Sequence, residues 1–237
     1  MNEMPSHTEA QTPHRAKLAG MYGPGFNGYA YFGFANGVAL AAMAGAGFFL
    51  DTVRPLEWLT LPVTFLVANV IEWAAHRGPL HHRRDWMEIL FERHTLTHHI
   101  YFPHNDMTAH SHREWGFVLF PAWAIFLVLL TAAPLAGLAG LLLGLNAGLL
   151  FFITGVGYYL VYEWLHLIHH LPEEHPIAQV GLFQRLRRHH TYHHHVRLMQ
   201  RYNFNVTFPI ADYLFGTAYR PQAEPEAEDT HEAGVPH

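Results

Sequence analysis

The chain has 237 residues, a formal net charge of −5, and 22 histidines but no cysteine. The lack of cysteine excludes disulfides, thiolate metal sites and cysteine nucleophiles, and the negative charge argues against nucleic acid as a partner. So many histidines without another soft ligand point to metal bound by imidazole nitrogens.

Four stretches of the chain are apolar and almost free of charge, which is the pattern of membrane-spanning helices. Such a helix needs about 20 apolar residues. Residues 18–50 and 115–162 contain no charged side chain, and the second run is long enough for two spans with a turn at Pro134. We therefore predict an all-α integral membrane protein with four transmembrane helices in two hairpins, at residues 29–50, 56–75, 115–133 and 138–165.

The two ends of the chain differ from this apolar part. Residues 1–17 are polar and residues 221–237 contain five acids without a base, so we expect disordered tails around a membrane-embedded domain at 18–220. Thirteen of the 14 basic residues lie before the first span, between the second and third, or after the fourth. By the positive-inside rule, both termini and a histidine-rich helical cap should then face the cytoplasm.

Ten histidines of this cap have spacings typical of metal ligands. Residues three or four apart share one face of a helix, so His94 with His98, His166 with His170, and His190 with His193 and His194 should each converge. Ten imidazoles are too many for one ion and suit two. The candidate ligands are His76, His81, His94, His98, His99, His166, His170, His190, His193 and His194.

Four further residues lie next to these candidates in the sequence. Glu72 and Glu163 each precede a candidate ligand by about one helical turn, so we expect them to accept hydrogen bonds from imidazole N–H groups. His169 and His189 are additional neighbours with supporting roles. We expect no catalytic residue beyond the metal centre.

The order of the histidine boxes resembles that of the fatty acid hydroxylase/sterol desaturase superfamily. Four boxes occur in order, namely H-x4-H from His76, H-x3-H-H from His94, H-x3-H from His166 and H-x2-H-H from His190. The segment from Glu72 to Arg77 is similar to the family's E-[YW]-x-x-H-R, and residues 203–217 are similar to its N-[FY]-G-[VI]-T…D…F-G-T. Two features depart from the family pattern: the second box has an extra histidine, His94, and Asn205 stands where glycine is usual.

The resemblance implies O2 activation at a histidine-bound pair of iron ions. Zinc can replace iron at imidazole sites in preparations. The implied reaction is hydroxylation of a C–H bond in a fatty-acyl or related lipid taken from the bilayer. No cytochrome b5-like domain precedes the first span, so we expect electrons from an external ferredoxin- or cytochrome b5-type donor.

Two alternative functions remain open at this stage. A carotenoid hydroxylase or a sterol desaturase/oxidase would share the same boxes. A histidine-rich metal transporter belongs to another class, since histidines within a membrane often mark ion paths. Against it, the predicted spans contain histidine only at their cytoplasmic ends.

Overall fold

The computed structural model describes residues 17, 18 and 20–221, and the regular structure within these residues is entirely helical. The predicted tails at 1–17 and 221–237 lie outside the described residues, apart from Lys17 and Pro221. We label the long helices α1 (Gly28–Phe48), α2 (Thr60–Ala75), α3 (Ala124–Leu143), α4 (Leu145–His169) and α5 (Gly181–His193). Shorter helical segments occupy Glu57–Leu59, His76–Leu80, Asp85–Met87, Glu88–Phe91, Glu92–His98, His99–Tyr101, Trp115–Val118 and Ile210–Leu214.

Four helical segments are long and apolar enough to cross a membrane, which confirms the predicted fold class. They are Gly28–Phe48, Glu57–Leu80, Ala124–Leu143 and Leu145–His169. Asn27 begins the first of them, because its Oδ1 accepts hydrogen bonds from the N–H groups of Tyr29 (3.0 Å) and Ala30 (3.1 Å).

The turn between the last two spans lies at Gly144, and its predicted position around Pro134 is wrong. Pro134 lies inside α3, which runs on to Leu143. A membrane helix tolerates proline because neighbouring groups satisfy the freed backbone carbonyl. The chain reverses at Gly144 instead, where φ is +104°, a conformation that favours glycine. The third and fourth spans therefore begin at residues 124 and 145 rather than 115 and 138.

Helix α4 is the centre of the bundle and packs against α1, α2 and α3. Its closest approach is to α3 at two small residues: a Cβ built on Gly148 would lie 2.8 Å from Cα of Gly140 and 2.5 Å from the carbonyl oxygen of Ala136. Helices α1 and α2 pack mainly against α4 rather than against each other. The pairing of the first two spans as a hairpin, and the cytoplasmic side of the cap, stay predictions.

Candidate metal centre

The ten candidate histidines are all buried and lie in two adjacent groups of five. In each group one potential ligand atom per residue lies within 4.8 Å of every other. The first histidine group consists of His76, His81, His94, His99 and His193, and the second consists of His98, His166, His170, His190 and His194. The groups adjoin, since the rings of His99 and His194 stack with centroids 4.2 Å apart.

Two turns with π-helical hydrogen bonding distribute the histidines between the groups. They cover His76–Leu80 and Glu92–His98. A π turn brings residues five apart onto one face, and accordingly His94 shares its group with His99 rather than with His98. The predicted convergence of His94 with His98 is therefore wrong.

In helices α4 and α5, histidines four residues apart belong to the same group. His166 and His170 share the second group, as do His190 and His194, as predicted. His193 belongs to the first group, so its predicted convergence with His190 and His194 is wrong. Side chains on one helix therefore serve both groups.

Six of the ten imidazoles are oriented by hydrogen bonds from Nδ1. Five donate to backbone carbonyl oxygens and one, His81, donates to Thr95 Oγ1 (3.1 Å), which itself donates to the carbonyl of Leu80. The carbonyl partners are Phe204 for His76, Phe117 for His98 (2.9 Å), Met107 for His170 (2.7 Å), Tyr202 for His193 (2.9 Å) and Phe102 for His194 (2.5 Å). Outer hydrogen bonds of this kind fix the orientation and tautomer of metal-binding histidines.

The fixed tautomers leave lone pairs facing one another inside each group. A carbonyl oxygen only accepts, so Nδ1 carries the proton and Nε2 of the neutral ring carries a lone pair. In the second group, Nε2 of His98 and Nε2 of His194 are 3.1 Å apart, and in the first group those of His81 and His193 are 2.8 Å apart. Neither pair of nitrogens can form a hydrogen bond in this state, because neither atom carries a proton. A cation bound in each group would stabilise the two facing lone pairs of that group.

Burial keeps these imidazoles in the neutral form that metal binding requires. It lowers the pKa of His98 to about 3. Burial and the neighbouring imidazoles also lower the pKa of His81 and His194 well below the usual range. The donor set fits two imidazole-bound metal ions, one in each group.

Glu72 supports the site, but its hydrogen bonds differ from the prediction. Its carboxylate accepts from the backbone N–H groups of Val206 (2.5 Å) and Thr207 (3.0 Å), from Thr207 Oγ1 (2.6 Å), and from the hydroxyl of Tyr158. It therefore anchors the segment whose Phe204 carbonyl orients His76, instead of accepting a hydrogen bond from an imidazole itself.

The other three predicted supporting residues also form their hydrogen bonds with groups other than the ten candidate ligands. Glu163 accepts from the backbone N–H of Phe120 (3.1 Å). Nε2 of His169 lies 2.9 Å from the carbonyl oxygen of Val206, and Nε2 of His189 lies 3.0 Å from Oδ2 of Asp212. Glu163 therefore does not take the predicted imidazole hydrogen bond, and His169 and His189 help to fix the chain after α5.

Asp212 organises that chain segment, a role that the sequence reasoning did not assign. Its carboxylate accepts from the N–H groups of Phe204 (2.9 Å) and Asn205 (2.8 Å) and from Thr217 Oγ1 (2.6 Å). Burial raises the pKa of Asp212, but hydrogen bonds from His189, Thr217 and the backbone outweigh it, so the pKa lies below its ordinary value. The sequence did contain a signal for this role, because Asp212 is an isolated acid in a segment otherwise free of charge.

Asn69 joins the same segment to the second span. Its Nδ2 donates to the carbonyl of Phe208 (2.8 Å), and its Oδ1 accepts from the N–H of Ala211 (3.0 Å). Asn205, which replaces the usual glycine, donates to the carbonyl of Asn69 (3.0 Å) and accepts from the N–H of Asp212 (3.1 Å). The sequence signal for Asn69 was a polar amide side chain within an apolar predicted helix.

Two apolar cavities lie beside the histidine groups. Cavity 1, of about 220 Å³, is lined by histidines from both groups, namely His94, His98 and His166. Cavity 2, of about 320 Å³, lies between α2 and α3 and reaches His76. The two cavities share five lining residues, Leu80, Phe120, Val128, Tyr159 and Tyr162. An apolar molecule in these cavities would lie close to both groups.

A family model described as fatty acid hydroxylase matches residues 61–217. The chain belongs to the fatty acid hydroxylase family. The matched range contains both histidine groups and the segment held by Asp212. Together with the four apolar spans, family membership describes a membrane hydroxylase, and therefore an oxidoreductase, with histidine clusters compatible with metal.

A solved structure described as "Full length scs7p (only hydroxylase domain visible)" is similar in fold to this member of the fatty acid hydroxylase family. The TM-score is 0.55 at 24% sequence identity, covering 84% of this chain and 69% of that chain. At this identity the likeness shows the fold alone. The search of curated proteins found no match.

Proposed function

We propose that the protein is a membrane-bound oxygenase that uses two iron ions, O2 and external electrons to hydroxylate a C–H bond of a lipid. The observation that carries this proposal is the pair of adjacent histidine groups with opposed Nε2 lone pairs at the wall of an apolar cavity. Family membership supports the reaction type.

Each histidine group would hold one ion. When bound, the ions would supply the oxidising power to break an unactivated C–H bond, which amino-acid side chains lack. The chain itself contributes fixed geometry, because the carbonyls that accept from Nδ1 of five of the histidines fix the orientation of those rings.

The cavity walls position the substrate and exclude water. Phe117, Val118 and Leu127 line cavity 1, and Val67, Ile71 and Leu135 line cavity 2. These side chains bind a lipid chain by apolar contact and hold one of its carbons near the histidines. Since cavity 2 lies between two spans, a fatty-acyl or related chain would enter from the bilayer.

The electron donor would approach from the cap, on the cytoplasmic side of the membrane. Thirteen of the 14 basic residues belong to the segments assigned to that side. A ferredoxin- or cytochrome b5-type donor fits this arrangement, because complementary charge steers protein encounters.

Lipid mass spectrometry and metal analysis test the proposal together. Cells that express the protein should accumulate a lipid that is heavier by one oxygen atom than in cells without it. Purified protein loaded with iron should contain about two ions per chain, one for each histidine group. A stoichiometry of one ion or fewer, or a lipid that has lost two hydrogens instead, would contradict the proposal.

A matched pair of histidine variants locates the metal. His194 is buried in the second group, with Nε2 3.0 Å from Nε2 of His190, whereas its neighbour His195 belongs to neither group. His194→Ala should lose about one ion per chain and abolish the oxygenated lipid. His195→Ala should keep both, and equal metal content in the two variants would refute the assignment.

A further inference from the structure

Three buried tyrosines on α4 have hydroxyl groups in three different surroundings. The hydroxyl of Tyr158 lies within the network of Glu72 and Asn69. The hydroxyl of Tyr159 is enclosed and has no hydrogen-bond partner. Tyr162 is 8% exposed, and its hydroxyl is not among the enclosed atoms that lack a partner. Nor does that hydroxyl bond to any residue in the described part of the chain. It therefore faces open space.

The open space next to Tyr162 belongs to the two cavities, because Tyr162 lies in the wall that they share. Tyr162 lines both cavity 1 and cavity 2. Its ring packs against Phe120, with centroids 5.2 Å apart, and lies 5.6 Å from the ring of His166 in the second histidine group. A molecule that fills either cavity therefore lies beside this side chain.

A tyrosine hydroxyl in apolar surroundings needs an acceptor, because burying it unpaired costs free energy. The residues shared by the two cavities are apolar except for the two tyrosines, and Tyr159 is enclosed. Among the residues that both cavities share, Tyr162 therefore carries the hydroxyl that is open to a bound molecule. A lipid that carries an oxygen there would satisfy it, and a plain hydrocarbon chain would not.

We propose that Tyr162 is a specificity-determining residue whose hydroxyl donates a hydrogen bond to an oxygen atom of the lipid. This inference rests on the proposed function, since it concerns the substrate of the same site. It assigns the substrate to lipids with an acceptor oxygen, such as a carbonyl, ester or hydroxyl, lying near the second histidine group. It argues against substrates that are hydrocarbon throughout the part of the chain inside the cavities.

Equilibrium binding of two radiolabelled probes to the metal-free protein in detergent tests the inference. Methyl hexadecanoate carries an ester carbonyl, and hexadecane has a chain of the same length without oxygen. Wild-type protein should bind the ester more tightly. Tyr162→Phe should weaken binding of the ester by about fivefold to tenfold, the usual effect of one hydrogen bond, and leave binding of hexadecane unchanged.

Tyr192→Phe is the matched control, because Tyr192 is exposed and lines neither cavity, so that loss of its hydroxyl should change the binding of neither probe. If Tyr162→Phe bound both probes like wild type, or lost both equally, the inference would be overturned. Since the binding assay needs neither metal nor turnover, its failure is distinct from failure of the oxygenase proposal. That proposal depends on metal content and oxygenated product.

Discussion

Glu72 is a buried carboxylate that accepts three of its four hydrogen bonds from one chain segment. Its acceptors are filled by two backbone N–H groups and two hydroxyls from Val206, Thr207 and Tyr158. The segment that it holds supplies the carbonyl oxygens for His76, from Phe204, and for His169, from Val206. Loss of this carboxylate should therefore affect both stability and the first histidine group.

We predict that Glu72→Gln lowers the free energy of unfolding by about 1–3 kcal/mol, because the amide places a donor opposite groups that already donate. Thermal unfolding in detergent measures the change. Glu88→Gln is the control, since Glu88 is partly exposed and pairs with Arg83 at the surface. Equal unfolding midpoints for the two variants would contradict the role assigned to Glu72.

The sequence predicted which ten histidines form the site, but not how they divide between the two groups or what the supporting acids bind. The ten candidate ligands were found because box spacing is a local property and a recognisable one. Glu72 bonds to residues more than 130 positions away, and no local spacing encodes such a contact. Asn69 escaped for the same reason, since it bonds to the N–H of Ala211, 142 positions away. The partners of Asp212 are closer in sequence, but they lie in an irregular segment whose hydrogen bonds no helical spacing predicts.

At the scale of elements, the contact between α3 and α4 depends on two glycines. Gly140 and Gly148 allow the helices to approach so closely that a methyl group on Gly148 would overlap the carbonyl of Ala136. Gly148→Ala should destabilise the protein by about 1–3 kcal/mol through this overlap.

Gly45→Ala is the matched control for this helix contact. Gly45 lies within α1, and a Cβ there would meet nothing within 4 Å. This variant should unfold at or slightly above the wild-type temperature, because alanine favours the helix. If Gly148→Ala were as stable as Gly45→Ala, the close packing of α3 on α4 would be wrong.

Helix geometry explains where the sequence reasoning about elements succeeded and where it failed. Hydropathy and length predicted four spans because those properties are summed over many residues. The turn was misplaced because Pro134 is an acceptable residue inside a membrane helix, while Gly144 has the positive φ that the reversal needs. The pairing of His94 with His98 failed because a π turn changes the spacing from four to five.

For the whole molecule, the buried imidazoles predict a stability that depends on pH. Burial lowers the pKa of eight histidines outside the spans: His81, His94, His98, His99, His170, His190, His193 and His194. The unfolded chain binds protons near the ordinary value of 6.5, whereas the folded chain binds them only at lower pH. Stability should therefore be constant above that value and fall as pH decreases below it.

Each such histidine contributes a slope of about 1.4 kcal/mol per pH unit where only the unfolded state is protonated. Unfolding of the metal-free protein in detergent, followed from about pH 8 to about pH 5, measures this slope. A midpoint that stayed constant as the pH fell below 6.5 would show that the imidazoles are not buried in the neutral state.

The orientation of the molecule in the membrane can be tested because the chain contains no cysteine. Single cysteines introduced at Thr52, between the first two spans, and at Ser111, in the cap, would each be unique. In intact cells we expect Thr52→Cys to react with an impermeant thiol reagent and Ser111→Cys to react only after lysis. The reverse pattern would place the cap outside.

The hydrogen bonds that orient the histidines also set the order in which the protein can be assembled. His76 belongs to the first half of the chain, yet its ring is held by the carbonyl of Phe204, in a segment that Asp212 and Thr217 fix. During synthesis, His76 therefore lacks the carbonyl that orients its ring until the chain up to residue 217 has been made. In the proposed function, the first histidine group would therefore be ready to bind its ion only after translation of that segment.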